Sequence, residues 1–337
     1  MSQPVLKVEN LYTSFRTPSG IIQAVRGISF TLNAGQVLGI VGESGCGKSV
    51  TANSIMGLSR GSKAEVKGRV LLNGQSLLDK SNAQLRRFRG KEMALICQNP
   101  MNSLNPVRKI GSQFIETILC HRDVSKDEAR RLAVEFLGRV ALPDSGGILK
   151  KYPFQLSGGM LQRVMIAMAL ALNPSLIIAD EPTTALDVIV QSQILLELHR
   201  LKREYQTGIL MISHDLGVVA SIADEVGVMY AGKIIEQGPV ETIFFNPAHP
   251  YTIALLNSRP RKDGNRWTIK LLGGQPPLAY EANTGCAFAP RCNRVSEMCC
   301  QAAPDLNTND DKHFVACHYP DRQDFRNREE VAGAACS

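Results

Sequence analysis

Short runs of apolar residues, separated by longer helical patterns, recur along most of the chain. Four such runs are only about four or five residues long, at Val37–Val41, 93–97, 176–179 and just before Ser213. Apolar runs of this length without polar alternation are typical of strands buried on both faces of a parallel sheet. The pattern therefore predicts buried strands separated by helices, which is compatible with an α/β fold.

Apolar residues at helical spacing predict helices over 49–58, 110–120 and 125–142. Ser125 stands three residues before Glu128, which is the spacing of a capping box at the start of a helix. The region between Gln98 and residue 160 is therefore predicted to be mainly helical, unlike the strand-rich regions on either side of it.

A glycine-rich segment lies between the run Val37–Val41 and the helix predicted over 49–58. It matches the pattern G-x-x-x-x-G-K-[ST], in which backbone N–H groups face phosphate oxygens at a helix N-terminus. Lys48 would reach the outer phosphates, and Ser49 would ligate magnesium. An ordinary glycine-rich turn is the alternative, but the flanking strand and helix favour a nucleotide site. The residues of this phosphate loop are Gly42, Glu43, Ser44, Gly45, Cys46, Gly47, Lys48 and Ser49.

Polar side chains follow the other three apolar runs. Asp180 and Glu181 end the run 176–179; Asp180 would orient magnesium through water, and Glu181 would polarise the water that attacks a terminal phosphate. His214 follows the last run, where it would sense that phosphate, and Gln98 follows the run 93–97. Alone, each is also compatible with a polar turn or a structural histidine. Their order along one chain favours phosphate chemistry.

The segment Leu156-Ser-Gly-Gly-Met160, here called the signature, precedes Asp180. With the phosphate loop, Gln98, Asp180-Glu181, Ala185-Leu-Asp187 and His214, it gives a motif order that resembles the nucleotide-binding subunit of an ABC transporter over about residues 5–260. The resemblance implies a P-loop NTPase fold for residues 1–258, with a RecA-like core, an antiparallel β subdomain and a helical subdomain at about 99–160.

The same resemblance implies a head-to-tail dimer that binds two ATP molecules with Mg²⁺. Each ATP would lie between the phosphate loop of one subunit and the residues Ser157, Gly158 and Gly159 of the other. The serine offers a hydroxyl, the glycines let backbone amides approach, and the helix expected to begin near Gly159 adds its positive end. One chain carries one copy of each motif, so a second ATPase subunit is required. It is either an identical copy or a related chain.

Three further residues are implied by the resemblance. Phe15 would stack against adenine, with Tyr12 as the alternative. Gln98 would belong to the loop that contacts both magnesium and the membrane subunits. Asp187 would complete the nucleotide-binding set.

Composition limits the class of protein. The 337 residues are 44% apolar and 20% charged, as in a globular chain longer than one ordinary domain. The longest apolar stretch, 164–172, is far shorter than the roughly 20 residues that span a bilayer, and the N-terminus lacks the pattern of a signal peptide. We therefore expect a cytoplasmic protein, peripheral to the inner membrane.

A net charge of +7 and the basic cluster Arg86, Arg87, Arg89 and Lys91 suggest an alternative. It is a soluble ABC-type ATPase that acts on nucleic acid or ribosomes. Such proteins tend to carry a long coiled coil or two ATPase units per chain. Neither is evident in this sequence, so the transporter subunit is favoured, with no nucleic-acid partner.

Cysteines gather near the C-terminus. Five of the nine cysteines fall within 32 positions: Cys286, Cys292, Cys299, Cys300 and Cys317. A reducing cytosol disfavours structural disulfides, so this crowding indicates a metal or cluster site. Zinc sites favour cysteines two to four residues apart, whereas iron–sulfur clusters accept other spacings. An iron–sulfur cluster, zinc and free buried thiols all remain open from spacing alone.

This region resembles the C-terminal extension of ATPase subunits from the oligopeptide and dipeptide import group, which includes nickel and glutathione importers. The matching features are His249-Pro-Tyr-Thr252, the cysteine spacing and Cys317-His-Tyr-Pro320. The resemblance implies uptake of peptides or similar solutes with two transmembrane permease subunits and an extracytoplasmic binding protein. Because the gaps are wide and irregular, we expect Cys286, Cys292, Cys299 and Cys317 to hold a 4Fe-4S cluster, with zinc or free thiols as alternatives. The family spacing selects Cys299 as the third ligand and leaves Cys300 as a spare. Residues 259–284 would link to this extension, 285–320 would bind the cluster, and 321–337 would be flexible.

Overall fold

The computed structural model describes residues 4–61, 63–184, 186–258, 261–263, 266–268, 272–275, 284–310 and 312–321. The strands of these residues, in chain order, are β1 (Pro4–Thr17), β2 (Gly20–Asn33), β3 (Val37–Val41), β4 (Ala64–Leu72), β5 (Gln75–Ser76), β6 (Met93–Ile96), β7 (Leu176–Asp180), β8 (Gly208–Ile212), β9 (Glu225–Tyr230), β10 (Lys233–Pro239), β11 (Arg261–Asp263), β12 (Arg266–Thr268), β13 (Asn307–Asp310) and β14 (His313–Val315).

The helices of the same residues are α1 (Lys48–Ile55), α2 (Asn82–Phe88), α3 (Ile110–His121), α4 (Lys126–Arg139), α5 (Ser145–Ile148), α6 (Gly158–Leu170), α7 (Val188–Glu204), α8 (Leu216–Ile222), α9 (Val240–Phe245), α10 (Pro250–Asn257) and α11 (Glu297–Gln301). None of them has the length and apolar character needed to cross a membrane. Ala185, most of the expected linker 259–284 and residues 322–337 lie outside the described residues.

The described residues form two compact units. The first contains those within 1–6, 32–36 and 71–211, and the second those within 7–31, 37–70 and 212–337. The second unit therefore includes both the phosphate loop and the stretch from Cys286 to Cys317, here called the cysteine-rich segment. In the second unit, β11 and β12 form a two-stranded antiparallel pair.

In the first unit, β6 pairs in parallel with β7, with Ala94 opposite Ile177, and β8 lies on the other side of β7. Every residue of β7 is buried, which explains why the run is apolar throughout. The strands predicted from the apolar runs are confirmed here. Because parallel strands place their carboxyl ends at one edge of a sheet, the segments after β6 and β7 emerge side by side.

The helical region of the first unit contains the two predicted helices α3 and α4. Ser125 caps α4 by accepting a hydrogen bond from the Glu128 N–H at 3.1 Å. The helix predicted to reach residue 142 ends at Arg139, because Ala141 has a left-handed backbone with φ 56°. In the second unit α1 likewise stops at Ile55, short of the predicted 58, before Gly57 with φ 67°.

The sheet of the second unit continues into the C-terminal region. The strand β3 pairs in parallel with β9, with Ile40 opposite Gly227, and β9 pairs antiparallel with β10. On its other edge β10 pairs antiparallel with β14, with Glu236 opposite Val315, and β14 pairs with β13. The last two strands are thus part of the same sheet as the strand that precedes the phosphate loop. The sequence pattern did not predict this pairing.

A buried carboxylate holds this sheet extension in place. Glu236 on β10 is fully buried and accepts hydrogen bonds from the N–H groups of Ala248 and His249 at 2.7 and 3.1 Å. A third contact, 2.8 Å long, joins it to Nε2 of His313 on β14. Buried carboxylates are tolerated when their oxygens are paired in this way. Glu236 therefore ties β14 and the start of α10 to β10.

A further sheet contains β2, β1, β4 and β5 in that order. The first two strands are long and are joined by the two residues Pro18 and Ser19. The pairing of β4 with β5 is antiparallel, with Leu71 opposite Ser76. This sheet corresponds to the β subdomain implied by the resemblance.

Candidate functional site

The phosphate loop leaves β3 at Gly42 and enters α1 at Lys48. Gly42 and Gly47 both have positive φ values, 152° and 106°. A Cβ at Gly42 would lie 2.2 Å from the Met229 carbonyl oxygen, and one at Gly47 would lie 2.3 Å from that of Ala24. Only glycine fits at either position, because both the backbone angle and the space exclude a side chain. The loop is thereby fixed against neighbouring backbone of its own unit.

Lys48 lies over this loop and is almost fully buried. Its Nζ donates to the carbonyl oxygens of Gly42 at 2.7 Å and Glu43 at 2.9 Å. Burial raises the pKa of the nearby Cys46 thiol, so that this side chain stays neutral. Ser44 and Gly45, at the tip of the loop, are exposed, and Ser49 follows in the first turn of α1.

In the first unit, Asp180 and Glu181 stand at the end of β7. Asp180 is buried, and Glu181 has φ 51°, a left-handed conformation that is unusual for a residue other than glycine. Its Oε2 accepts hydrogen bonds from Gln98 Nε2 and Thr184 Oγ1, both at 3.1 Å. The structure thus brings together two of the residues predicted from separate strand ends. Thr184 is the other residue that contacts this carboxylate, and the sequence pattern did not predict it.

The signature forms the N-terminus of α6. Ser157 is the N-cap residue, and its Oγ accepts a hydrogen bond from the Met160 N–H at 3.3 Å. The hydroxyl proton is then available to an external acceptor. A Cβ at Gly158 would meet no atom within 4 Å, so this face of the helix start is open. The helix begins at Gly158, one residue before the expected start at Gly159.

Asp187 occupies a similar position at the start of α7. Its Oδ1 accepts a hydrogen bond from the Val190 N–H at 3.0 Å, which makes it the N-cap residue of that helix. The capping role was not predicted.

His214 follows β8 and is exposed. The N–H of the preceding Ser213 donates to the Ile40 carbonyl at 3.2 Å. His214 therefore lies next to the end of β3, the strand that leads into the phosphate loop. Both residues belong to the second unit.

The two aromatic candidates for adenine both lie on β1. Phe15 is half-buried, whereas Tyr12 is 49% exposed. Tyr12 packs over Gly27 of β2, where an added Cβ would lie 2.6 Å from its Oη. The Tyr12 ring therefore occupies the space that a side chain at Gly27 would fill.

The four predicted cysteine ligands line one recess, here called the cysteine recess, together with eight other residues; the four are Cys286, Cys292, Cys299 and Cys317. Burial raises the pKa of the Cys286 and Cys317 thiols, and the neighbouring thiols add to this effect. Cys300 is exposed. Within the described part of the chain, no three His, Cys, Asp or Glu side chains are drawn together closely enough to hold a metal ion.

Comparison with known proteins agrees with these features. The family described as ABC transporter matches residues 25–184, and the family described as oligopeptide/dipeptide transporter, C-terminal region, matches residues 235–299. The chain is 50% identical to the oligopeptide transport ATP-binding protein OppD of Haemophilus influenzae over 90% of this chain and 94% of that protein. It is 46% identical to the dipeptide transport ATP-binding protein DppD of Bacillus subtilis over 95% and 96%.

A solved structure gives the same fold. The dimeric ATP-binding cassette MJ0796, bound to ADP and Pi in a post-hydrolysis state, matches with a TM-score of 0.64 at 26% identity, covering 70% of this chain and 98% of that one. The chain therefore belongs to the ABC transporter family, as an ATP-hydrolysing subunit of its oligopeptide and dipeptide transport group.

Proposed function

We propose that this chain powers the uptake of dipeptides, oligopeptides or related small solutes from the cytoplasmic face of the inner membrane. The observation that carries the proposal is the 50% identity to an oligopeptide transport ATP-binding protein across 90% of the chain. The match of residues 235–299 to the C-terminal region of such transporters supports it. The partners would be a second ATPase subunit, two permease subunits and an extracytoplasmic binding protein.

In this proposal, the phosphate loop and Lys48 bind the ATP phosphates. The backbone N–H groups at the start of α1 and the ammonium of Lys48 would supply positive charge to the phosphates. Phe15 would carry the adenine ring, with Tyr12 as the alternative. The partner subunit's Ser157, Gly158 and Gly159 would complete the site, since the Ser157 hydroxyl and the N–H groups of α6 suit a phosphate acceptor. Asp187 would support the same interface.

Oxygen donors suited to Mg²⁺ are present at Ser49, Gln98 and Asp180. Mg²⁺ would neutralise charge on the phosphates when it is bound. Asp180 is buried at the end of β7. These donors fit a magnesium site in their chemistry.

Glu181 would act as the general base. Its carboxylate would take a proton from water as the water oxygen bonds to the terminal phosphorus and the bond to the leaving phosphate oxygen breaks. The hydrogen bonds from Gln98 and Thr184 hold that carboxylate in one place. His214 would contact the terminal phosphate. Hydrolysis would then remove the bridge that holds two subunits closed.

The test is transport by the full complex. In proteoliposomes that contain the two permease subunits and both ATPase subunits, a labelled tripeptide supplied with the binding protein should accumulate only when ATP is present. ATP hydrolysis should rise when the loaded binding protein is added. Hydrolysis that instead responds to DNA or RNA and ignores the membrane complex would contradict the proposal and favour the nucleic-acid alternative.

We also propose that Cys286, Cys292, Cys299 and Cys317 hold a 4Fe-4S cluster. The four thiols line one recess, but as placed they are not close enough together to hold a metal ion, so a cluster would have to draw them together. A bound cation would relieve their mutual repulsion as thiolates. Zinc is the alternative occupant. The cluster would act as a structural staple for a segment with little apolar core.

Anaerobically purified protein should contain about four irons per chain and absorb broadly in the violet. Cys299→Ser should lose most of this iron, whereas Cys300→Ser, at the exposed neighbouring position, should retain it. Zinc in place of iron would favour the alternative occupant. Protein with neither metal would show that the thiols are free.

A further inference from the structure

A residue of the phosphate loop is held by a distant part of the chain. Arg291 donates from its two terminal nitrogens to the two carboxylate oxygens of Glu43, at 2.9 and 3.0 Å. Its Nε donates to the Gly273 carbonyl at 2.9 Å. The Arg291 side chain is only 6% exposed. A partly buried bidentate pair of this kind is among the stronger and more directional contacts in proteins.

The backbone of Glu43 is fixed as well. Its N–H donates to Oη of the buried Tyr251 at 3.0 Å, and its carbonyl accepts from Lys48 Nζ at 2.9 Å. Every polar group of Glu43 therefore has a partner. The residue stands between Lys48 and side chains that come from the C-terminal third of the chain.

Arg291 is positioned by the cysteine-rich segment. It ends the short 3₁₀ turn Ala289–Arg291 and directly precedes Cys292, which lines the cysteine recess. Phe288, just before the turn, packs its ring against those of Tyr230 and Tyr251, with centroids 5.4 and 5.5 Å apart. One short segment thus places both the guanidinium and the aromatic cluster that holds Tyr251.

The ion pair between Glu43 and Arg291 affects the charge that a bound ATP would meet. The Glu43 side chain is 24% exposed and lies in a loop that must accept a triphosphate. An unpaired carboxylate there would repel the ligand, and partial burial would strengthen the repulsion. Arg291 cancels this charge and also holds the residue whose carbonyl binds the Lys48 ammonium.

We propose that Arg291 is a positioning residue for ATP binding, through which the cysteine-rich segment sets the charge and geometry of the phosphate loop. The inference rests on the proposed ATP site. Arg291 would act on the nucleotide through Glu43 and would not contact the nucleotide itself. The affinity for ATP would therefore depend on how the cysteine-rich segment is folded.

Arg291→Met in the full-length chain tests this. The dissociation constant of a fluorescent ATP analogue with Mg²⁺ should rise about tenfold or more, because a carboxylate is left unpaired beside the phosphates. Removing that charge as well, in Glu43→Gln/Arg291→Met, should recover most of the affinity. Glu43→Gln alone completes the double-mutant cycle. The matched control is Arg131→Met, which removes an exposed arginine paired with Glu128 and should leave binding unchanged.

Thermal unfolding of each variant separates loss of fold from loss of charge. If Arg291→Met does not fold, Arg291→Lys keeps the charge but not the two parallel hydrogen bonds, and a several-fold loss of affinity is expected. Unchanged binding by a folded Arg291 variant would overturn the inference. So would a loss of affinity that Glu43→Gln fails to restore. Wild-type protein that binds no nucleotide would overturn the proposed site itself, and this inference with it.

Discussion

Glu181→Gln is expected to lower the rate of ATP hydrolysis by about a thousandfold while ATP affinity stays within a few-fold of wild type. The amide has nearly the same shape as the carboxylate but cannot accept a proton from water. It can still accept the hydrogen bonds that Gln98 and Thr184 donate to Oε2. Steady-state phosphate release and binding of a fluorescent ATP analogue measure the two quantities separately.

The closed dimer should accumulate in the same variant, because ATP stays bound between subunits. Gel filtration with ATP and Mg²⁺ would detect it. The matched control is Glu204→Gln, which neutralises an exposed carboxylate on α7 that pairs with Arg200. Normal hydrolysis by Glu181→Gln would remove the role proposed for Glu181.

Lys48→Ala is expected to weaken ATP binding about a hundredfold, and hydrolysis at saturating ATP should also fall. The variant loses a buried ammonium that would face the outer phosphates. It also loses the hydrogen bonds to the Gly42 and Glu43 carbonyls that keep the loop closed on itself. Isothermal titration with ATP and Mg²⁺ gives the dissociation constant directly.

The control for this variant is Lys67→Ala, which truncates a lysine that is 68% exposed on β4. Its ATP affinity should equal that of wild type. A Lys48→Ala protein that binds ATP as tightly as this control would show that the ammonium makes no contact with the phosphates.

The sequence predicted the strands because they depend on local patterns. It also named Gln98 and Glu181, which contact each other, while the chemical roles of the site residues stay predictions. The apolar run 176–179 of β7 has no polar position, and its burial on both faces follows directly. Helix ends were less well predicted, because the left-handed residues Ala141 and Gly57 set them. A single residue's φ angle leaves no trace in hydrophobic periodicity.

Contacts between distant segments could not be predicted. The pairing of β14 with β10 depends on the buried Glu236 and on His313, which are 77 positions apart. The left-handed backbone at Glu181 and its contact with Thr184 depend on the turn that follows β7. Sequence spacing reports which residue types are present, and only the folded chain shows which of them meet.

The ion pair between Glu43 and Arg291 joins residues 248 positions apart, which has a bearing on biosynthesis. During translation, Glu43 emerges from the ribosome long before Arg291, which neutralises its charge, is added to the chain. Until then a nascent polypeptide carries an uncompensated anion beside its ATP-binding glycines. We therefore expect a newly made subunit to reach its full affinity for ATP only late in translation, once Arg291 has been added.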